Sequence, residues 1–294
     1  NPNAQKVREA FAEVEKISPS NVFVANGSDE IFTLLFRGFI DKDQTAAFAY
    51  PSYSLYYTMA EANGIPSEKV PLDKNFDVKF DQLLKKKYAM VILCNPNNPT
   101  GKGIPVEQID AFLAKFKGLC IVDEAYVDFY GETAMPLIKK YDNLIVSRSF
   151  SKSYSLAGLR IGVAAAQKDI IDGFLKLKDS YNVDRLAAAG AHAALLDRKS
   201  FLYSTGMVRN NKEYMEDRLA ALGFEIVPSK ANFLFVRHKS VPADVLYEKL
   251  KENRILVRHF HAPVQQRDFR ITVGTMMEIK ELSRILEKIT ETGE

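Results

Sequence analysis

A lysine surrounded by serines is the first group in this sequence that could do covalent chemistry. Lys152 lies in a stretch, residues 147–162, that joins two apolar runs typical of buried strands. A lysine between such strands cannot easily reach water with its amine, so it needs a partner or a covalent role. Burial and the positive charge of Arg160 should lower the pKa of this amine, and a neutral amine can form a Schiff base. The alternative is a serine-rich turn with a solvated lysine.

Hydroxyl groups and a guanidinium near this lysine suit a phosphate group. Ser149 and Ser151 precede Lys152 and Arg160 follows it, and such groups form the charge-assisted hydrogen bonds that a phosphate requires. We therefore expect Lys152 to hold an aldehyde cofactor that carries a phosphate, which is pyridoxal phosphate.

A second element with phosphate chemistry lies at residues 26–30, between a predicted strand and a helix predicted over 31–39. A glycine turn at Gly27, followed by Ser28 and Asp29, would gather free backbone N–H groups at the positive end of the helix dipole. The alternative is an ordinary helix N-cap formed by Ser28 or Asp29.

Other predicted strands end in aromatic or polar side chains. Tyr53 follows one of them and could stack on a flat ring, or simply pack in the interior. Asn98 lies in the loop 95–101, where two prolines and a glycine stop an apolar strand. Asp123 directly follows four apolar residues and precedes Tyr126, and a carboxylate there is expensive to bury without a partner. Facing a pyridine nitrogen, it would keep the ring protonated; the alternative is a cap or a structural ion pair.

The composition argues against several other classes of protein. The 294 residues are 47% hydrophobic and 26% charged, and the net charge of +3 is too small to indicate binding to nucleic acid or an anionic membrane. Cys94 and Cys120 lie in apolar runs, which predicts buried thiols in a reducing, cytoplasmic compartment. No apolar stretch approaches the ~20 residues of a membrane span, and no signal peptide is recognisable. His259 and His261 are close in sequence but have no nearby cysteine or carboxylate cluster, so we expect no metal site.

The order of predicted elements changes near residue 195. Before it, strands alternate with helices, which predicts a mostly parallel sheet covered by helices. After it, strands over 224–227, 232–236, 255–257 and 269–273 pair more locally, which suggests a smaller α+β unit. We predict an α/β fold with a large domain, 1–195, and a small C-terminal domain, 196–294. Residues 1–17 form a leading helix in this prediction, because their apolar residues recur at helical spacing.

Taken together, these pieces resemble the fold-type I pyridoxal-phosphate-dependent aminotransferases, and within them the histidinol-phosphate aminotransferase family. The resemblance covers nearly the whole chain. Its motifs are Asn26-Gly27-Ser28-Asp29-Glu30, Tyr50-Pro51-Ser52-Tyr53, Asn95-Pro96-Asn97-Asn98-Pro99-Thr100-Gly101, Val122-Asp123-Glu124-Ala125-Tyr126, Ser149-Phe150-Ser151-Lys152, Leu156-Ala157-Gly158-Leu159-Arg160, Ala231-Asn232-Phe233 and Phe269-Arg270-Ile271-Thr272-Val273-Gly274.

The resemblance implies a role for each candidate residue. Lys152 would form the Schiff base and move the proton, Asp123 would pair with the pyridine nitrogen, and Tyr53 would stack on the ring. Asn98 and Tyr126 would hydrogen-bond the ring hydroxyl. The phosphate would be held by the turn after Gly27 and by side chains near Lys152. These phosphate-binding residues are Ser28, Asp29, Ser149, Ser151 and Arg160.

The resemblance also implies substrates and an assembly. Arg270, helped by Arg258, would bind the anionic group of histidinol phosphate and then of 2-oxoglutarate, in a ping-pong exchange of the amino group. A guanidinium accepts phosphate and carboxylate alike, although Arg258 could instead be a solvated strand end. The small-molecule partners would be an amino donor and a 2-oxo acid, and the family expectation is a homodimer. Members usually have an N-terminal arm that helps to close the substrate site, and because this sequence begins at Asn1 we expect either a truncated form or a form without the arm.

Several functions remain open at this point. The same cofactor set serves aminotransferases of aromatic amino acids and a phosphothreonine decarboxylase that resembles this family. From a different class, such a domain can be a non-catalytic ligand sensor fused to a DNA-binding module. The sensor is disfavoured because the catalytic set is complete and no basic or helix-turn-helix stretch is evident.

Overall fold

The structure, a computed structural model, describes residues 2–260 and 268–292, with side chains as far as residue 290. Its strands are β1 Val22–Asn26, β2 Ala46–Tyr50, β3 Ser67–Pro71, β4 Met90–Cys94, β5 Leu119–Asp123, β6 Leu144–Ser149, β7 Ile161–Ala166, β8 Phe224–Val227, β9 Phe233–His238, β10 Arg258–His259 and β11 Phe269–Thr272. Its α-helices are α1 Gln5–Glu15, α2 Gly27–Gly38, α3 Leu55–Ala62, α4 Phe80–Lys85, α5 Val106–Leu113, α6 Lys168–Leu177, α7 Arg185–Leu196, α8 Arg198–Ala221, α9 Ala243–Glu252 and α10 Met276–Thr292.

The first seven strands form one mostly parallel sheet in the order β1-β7-β6-β5-β4-β2-β3. Strands β2 to β6 pair in parallel, whereas β7 is antiparallel to both of its neighbours, β1 and β6. Helices α1, α5 and α7 cover one face, and α2, α3 and α6 cover the other. This double cover explains why strands such as β4 and β6 are buried along their whole length and lack polar alternation. The predicted α/β fold is observed.

One edge of this sheet gathers the predicted motifs. The carboxyl ends of the parallel strands β2, β4, β5 and β6 lie there, and β1 ends at the same edge because it is antiparallel to β7. The loops that follow these strands contain residues far apart in sequence but adjacent in space. Open α/β sheets place their ligands at this edge.

A second sheet, of four antiparallel strands, has the order β10-β11-β9-β8. Helices α8, α9 and α10 pack on it through apolar residues such as Leu219, Leu246 and Leu286. Helix α7 contributes to the core of the first sheet, and α8 contributes Met215 and Leu219 to that of the second. This arrangement is consistent with the predicted domains 1–195 and 196–294, and their boundary remains a proposal.

The strand predicted over residues 255–257 is not observed. Helix α9 ends at Glu252, and Arg254 then takes a left-handed conformation (φ 61°) that turns the chain back. Residues 255–257 connect this turn to the strand β10, and Leu256 is 78% exposed. The short apolar run predicts a strand wrongly here, because these residues join two elements and do not pair with another strand.

Candidate active site

A cavity of about 630 Å³ lies at the sheet edge just described, between the two sheets. It is lined by residues that the sequence predicts for the site: Ser28, Asp29, Tyr53, Asn98, Asp123, Tyr126, Ser149, Ser151, Lys152, Arg160, Arg258 and Arg270. Gly27 does not line it, and lies instead at the first position of α2 beneath Arg160. The structure thus brings together the predicted residues from both halves of the chain.

The start of helix α2 forms an anion seat beside Arg160. Gly27 has φ +75°, and a Cβ atom there would lie 2.6 Å from Nη2 of Arg160. That same Nη2 lies 2.9 Å from Asp29 Oδ2, which holds the guanidinium over the helix N-terminus. The helix offers free N–H groups and its positive dipole end. The alternative of Ser28 or Asp29 as N-cap is wrong, because the N-cap is Asn26 and both residues lie inside α2.

Gly162 allows β7 to lie directly against the start of α2, a role that the sequence analysis did not predict. A Cβ at Gly162 in β7 would lie 2.4 Å from the backbone nitrogen of Ser28 and 2.5 Å from the carbonyl carbon of Gly27. Only a residue without a side chain lets the strand and the helix start touch in this way. The glycine after Arg160 and Ile161 was a visible signal, but its contact depends on the register between β1 and β7.

Lys152 lies in the turn after β6, open to the cavity. The adjacent Ser153 donates its hydroxyl to Asp128, and Leu156 N–H donates to the Phe150 carbonyl at 3.0 Å, which closes the turn. Although the side chain is open to the cavity, the protein around it partly desolvates the amine. Burial, then the charge of Arg270 and then that of Arg160 lower the pKa of Lys152. The predicted direction is confirmed, and Arg270 is a contributor that sequence spacing did not show.

Asp123 ends β5 and is only 3% exposed. Its Oδ2 accepts a hydrogen bond from the Tyr56 hydroxyl at 2.5 Å, and its Oδ1 accepts from the Ser147 hydroxyl at 3.0 Å. The N–H of Ala125 also donates to Oδ1, at 3.2 Å. Burial raises the pKa of Asp123, and these hydrogen bonds oppose that rise. The carboxylate is therefore partnered, but by groups that sequence reasoning missed.

Asn98 and Tyr126 are held at the cavity by the second sheet. Asn98 Oδ1 accepts from Arg270 Nη1 at 2.6 Å, and the Tyr126 ring packs edge-on against Phe233, with 5.0 Å between ring centroids. Lys152 Nζ lies 5.6 Å from the centre of the Tyr126 ring. Tyr53, which is half-buried, also lines the cavity.

The two predicted arginines are cross-strand neighbours, since Arg258 of β10 pairs with Arg270 of β11. Arg258 is exposed, whereas Arg270 is partly buried and its guanidinium lies 4.9 Å from the centre of the Phe233 ring. Within the described residues, the buried Nε of Arg270 has no hydrogen-bond acceptor. Paired like charges and an unsatisfied donor both cost free energy, and an anion in the cavity would offset the repulsion between the two guanidinium groups.

Comparison with known proteins identifies this architecture. Residues 2–289 match the family model Aminotransferase class I and II. The chain belongs to this family. It is 41% identical over 278 residues to a histidinol-phosphate aminotransferase of Pseudomonas putida, which covers 93% of this chain and 80% of the relative.

Solved structures agree with this assignment. A histidinol-phosphate aminotransferase from Sinorhizobium meliloti, in complex with pyridoxal-5'-phosphate, superposes with a TM-score of 0.92 at 25% identity, over 100% of this chain and 83% of that one. The L-threonine-O-3-phosphate decarboxylase from Porphyromonas gingivalis gives a TM-score of 0.86 at 25% identity, over 99% and 90% of the two chains. The predicted family, fold class, transaminase assignment and cofactor are confirmed.

The aminotransferase cavity also fits pyridoxal phosphate on its own geometry. It combines an anion seat, one amine with a lowered pKa and a buried carboxylate fixed by hydrogen bonds. In the part of the chain that the structure describes, no group of three or more histidine, cysteine or acidic side chains could hold a metal ion, and His261 lies outside that part. Among the described helices, none is long and apolar enough to cross a membrane.

Proposed function

We propose that this aminotransferase exchanges an amino group between histidinol phosphate and 2-oxoglutarate, and so serves histidine biosynthesis. The observation that carries the proposal is the arginine pair: Arg270, whose buried Nε lacks an acceptor among the described residues, lines the same cavity as Lys152, and so does Arg258. Two guanidinium groups can bind an anionic group of the substrate that lies away from its reacting amine. The 41% identity to the P. putida enzyme supports the choice of substrate.

In this proposal each side chain acts at a stated place. The turn at Gly27, Ser28 and Asp29, with Ser149, Ser151 and Arg160, binds the cofactor phosphate. Tyr53 packs on the ring, and Asn98 and Tyr126 donate hydrogen bonds to its hydroxyl. When bound, pyridoxal phosphate supplies an aldehyde that exchanges amines and a ring that accepts the electrons of a broken Cα–H bond.

Proton transfer is the work of Lys152 and Asp123. The lowered pKa of Lys152 leaves more of its amine neutral near pH 7. This amine would hold the aldehyde of the cofactor and, once the amine of the substrate has displaced it, would be free to take the Cα proton. Asp123 carries the negative charge that keeps the ring nitrogen protonated. Arg258 and Arg270 bind the substrate anion, and the exchange of phosphate for carboxylate between the two half-reactions requires no change in either guanidinium.

The experiment that tests the substrate is a panel of amino donors added to the loaded enzyme without an oxo acid. Histidinol phosphate should bleach the visible absorption of the cofactor in one turnover, and 2-oxoglutarate should restore it. Preference for an aromatic amino acid, or release of CO₂ from O-phosphothreonine, would replace the proposal by one of the alternatives. The structural similarity to the P. gingivalis decarboxylase is the reason to include O-phosphothreonine in the panel.

We also propose a homodimer in the cytoplasm. Large apolar side chains around α7 and the start of α8 are open to solvent, among them Tyr181 (81% exposed), Leu186 (79%) and Tyr203 (73%). Exposed apolar patches mark interaction sites. Light scattering should give a mass near twice 33.1 kDa, and a monomer at assay concentration would refute the dimer.

A further inference from the structure

Tyr56 contributes a buried hydroxyl to the site without lining the cavity. It lies on α3, three residues after Tyr53, and it is 0% exposed. Its ring packs against Phe32 with 4.9 Å between centroids, and edge-on against Tyr53 with 5.6 Å between centroids. Because the ring is held on these sides, the hydroxyl has one fixed direction, toward Asp123.

The hydrogen bond from Tyr56 differs from the other two that Asp123 accepts. Ser147 and the Ala125 N–H both donate to Oδ1, whereas Tyr56 donates to Oδ2 at 2.5 Å. Burial, followed by the charge of Asp123, raises the pKa of Tyr56 well above its usual value, so the hydroxyl stays a donor. Four other titratable groups of the described residues interact with this pair: the buried thiol of Cys94, on β4, Asp29, on α2, and the hydroxyls of Tyr53 and Tyr126.

A carboxylate that accepts this hydrogen bond is stabilised in its charged form. If the donor is lost, Asp123 binds a proton more tightly and competes better for the proton shared with a pyridine nitrogen. Tyr56 thus controls where that proton resides, although it contacts no ligand itself. The same bond fixes the plane of the carboxylate, since donors then hold both of its oxygens.

We propose that Tyr56 is a positioning residue for the reaction, which acts through Asp123 to keep the cofactor ring nitrogen protonated. This inference rests on the proposed function, because it uses the proposed role of Asp123. Phenylalanine at position 56 keeps the packing and removes only the donor. Loss of one hydrogen bond to a charged group predicts a fall in kcat of about tenfold or more, with little change in KM for histidinol phosphate.

The test uses holoenzyme loaded with pyridoxal phosphate labelled with ¹⁵N in the ring. In the Tyr56→Phe enzyme the ring-nitrogen signal should move from the pyridinium position toward that of neutral pyridine at the same pH. The matched control is Tyr88→Phe, which removes the hydroxyl of another buried tyrosine, before the start of β4 and at the opposite end of that strand from the site. It should keep the wild-type signal and kcat.

A second comparison separates positioning from a general structural effect. In an Asp123→Asn background, Tyr56→Phe should cause no further loss of kcat, because residues that act as a unit are not additive. An unchanged ¹⁵N signal in Tyr56→Phe, or full additivity with Asp123→Asn, would overturn the inference. A wild-type enzyme whose ring nitrogen is neutral would instead refute the proposed role of Asp123. If Tyr56→Phe does not fold, 4-aminophenylalanine at position 56, a weaker donor of similar shape, should give a partial shift, and no shift would count against the inference.

Discussion

Replacing Gly162 by alanine should displace the start of α2, which forms the anion seat. The added Cβ would lie 2.4 Å from the nitrogen of Ser28, whereas ordinary contacts begin at 3.4 Å. The start of α2 must therefore move by about 1 Å relative to β7, from the difference 3.4 − 2.4. The neighbouring atoms are backbone, so no flexible side chain can absorb this shift.

The magnitude follows from two costs. Overpacking of this kind destabilises a fold by about 1–3 kcal/mol. A displaced helix start also weakens hydrogen bonds to a bound phosphate, and loss of one charge-assisted bond corresponds to about a tenfold to hundredfold weaker Kd for pyridoxal phosphate. The control is Gly158→Ala, four residues earlier, where a Cβ meets nothing within 4 Å.

The assay measures thermal unfolding of the cofactor-free protein and equilibrium binding of pyridoxal phosphate by absorbance. Gly162→Ala should lower Tm and weaken binding, and Gly158→Ala should change neither beyond small effects. Wild-type binding by Gly162→Ala would refute the reasoning, because it would show that the strand and helix can separate without affecting the anion seat.

Three further predictions follow from the same geometry. Lys152→Ala should abolish transamination but keep noncovalent binding of pyridoxal phosphate, because the anion seat is intact; turnover near the wild-type rate would contradict its proposed role. Arg270→Gln should move the pH midpoint for uptake of pyridoxal phosphate by cofactor-free enzyme to higher pH, because removal of a positive charge raises the lowered pKa of Lys152. Arg258→Gln is the control, and an unchanged midpoint in Arg270→Gln would refute the electrostatic cause. Arg148→Met should lower the free energy of unfolding, measured with denaturant, by about 3–5 kcal/mol. The reason is that Glu124, which lies 2.8 Å from the Arg148 guanidinium, would stay buried without this partner; wild-type stability would show that Glu124 is neutral.

The groups at strand ends could be predicted from sequence because local rules suffice for them. An unbroken apolar run followed by Asp123, or by a proline-rich loop that contains Asn98, marks the end of a buried strand. Since parallel strands end at one edge, residues far apart in the chain are expected to meet there. The carboxyl ends of β2, β4, β5 and β6 do meet at one edge in the structure.

The partners of these groups could not be predicted, because they depend on register and on helix rotation. Ser147 reaches Asp123 since the two residues are paired across β5 and β6, and Tyr56 reaches it through the orientation of α3. Neither relation leaves a periodic signal in one sequence. The strand predicted at 255–257 is wrong for the same reason. Strand pairing depends on two segments, whereas the apolar composition of residues 255–257 describes only one of them.

Asn98 shows how the second sheet completes a site built mainly on the first. Arg270 has only donors, so its 2.6 Å bond to Asn98 must use the amide oxygen, and the amide NH₂ is left to the cavity. The loop that carries Asn98 is bound a second time, because Lys230 N–H donates to the carbonyl of Gly101 at 2.8 Å. The proposed substrate-binding arginine and the proposed cofactor-binding amide are thus one hydrogen-bonded unit. A variant of Arg270 should therefore disturb the cofactor as well as the substrate, and its kinetic effect cannot be assigned to substrate binding alone.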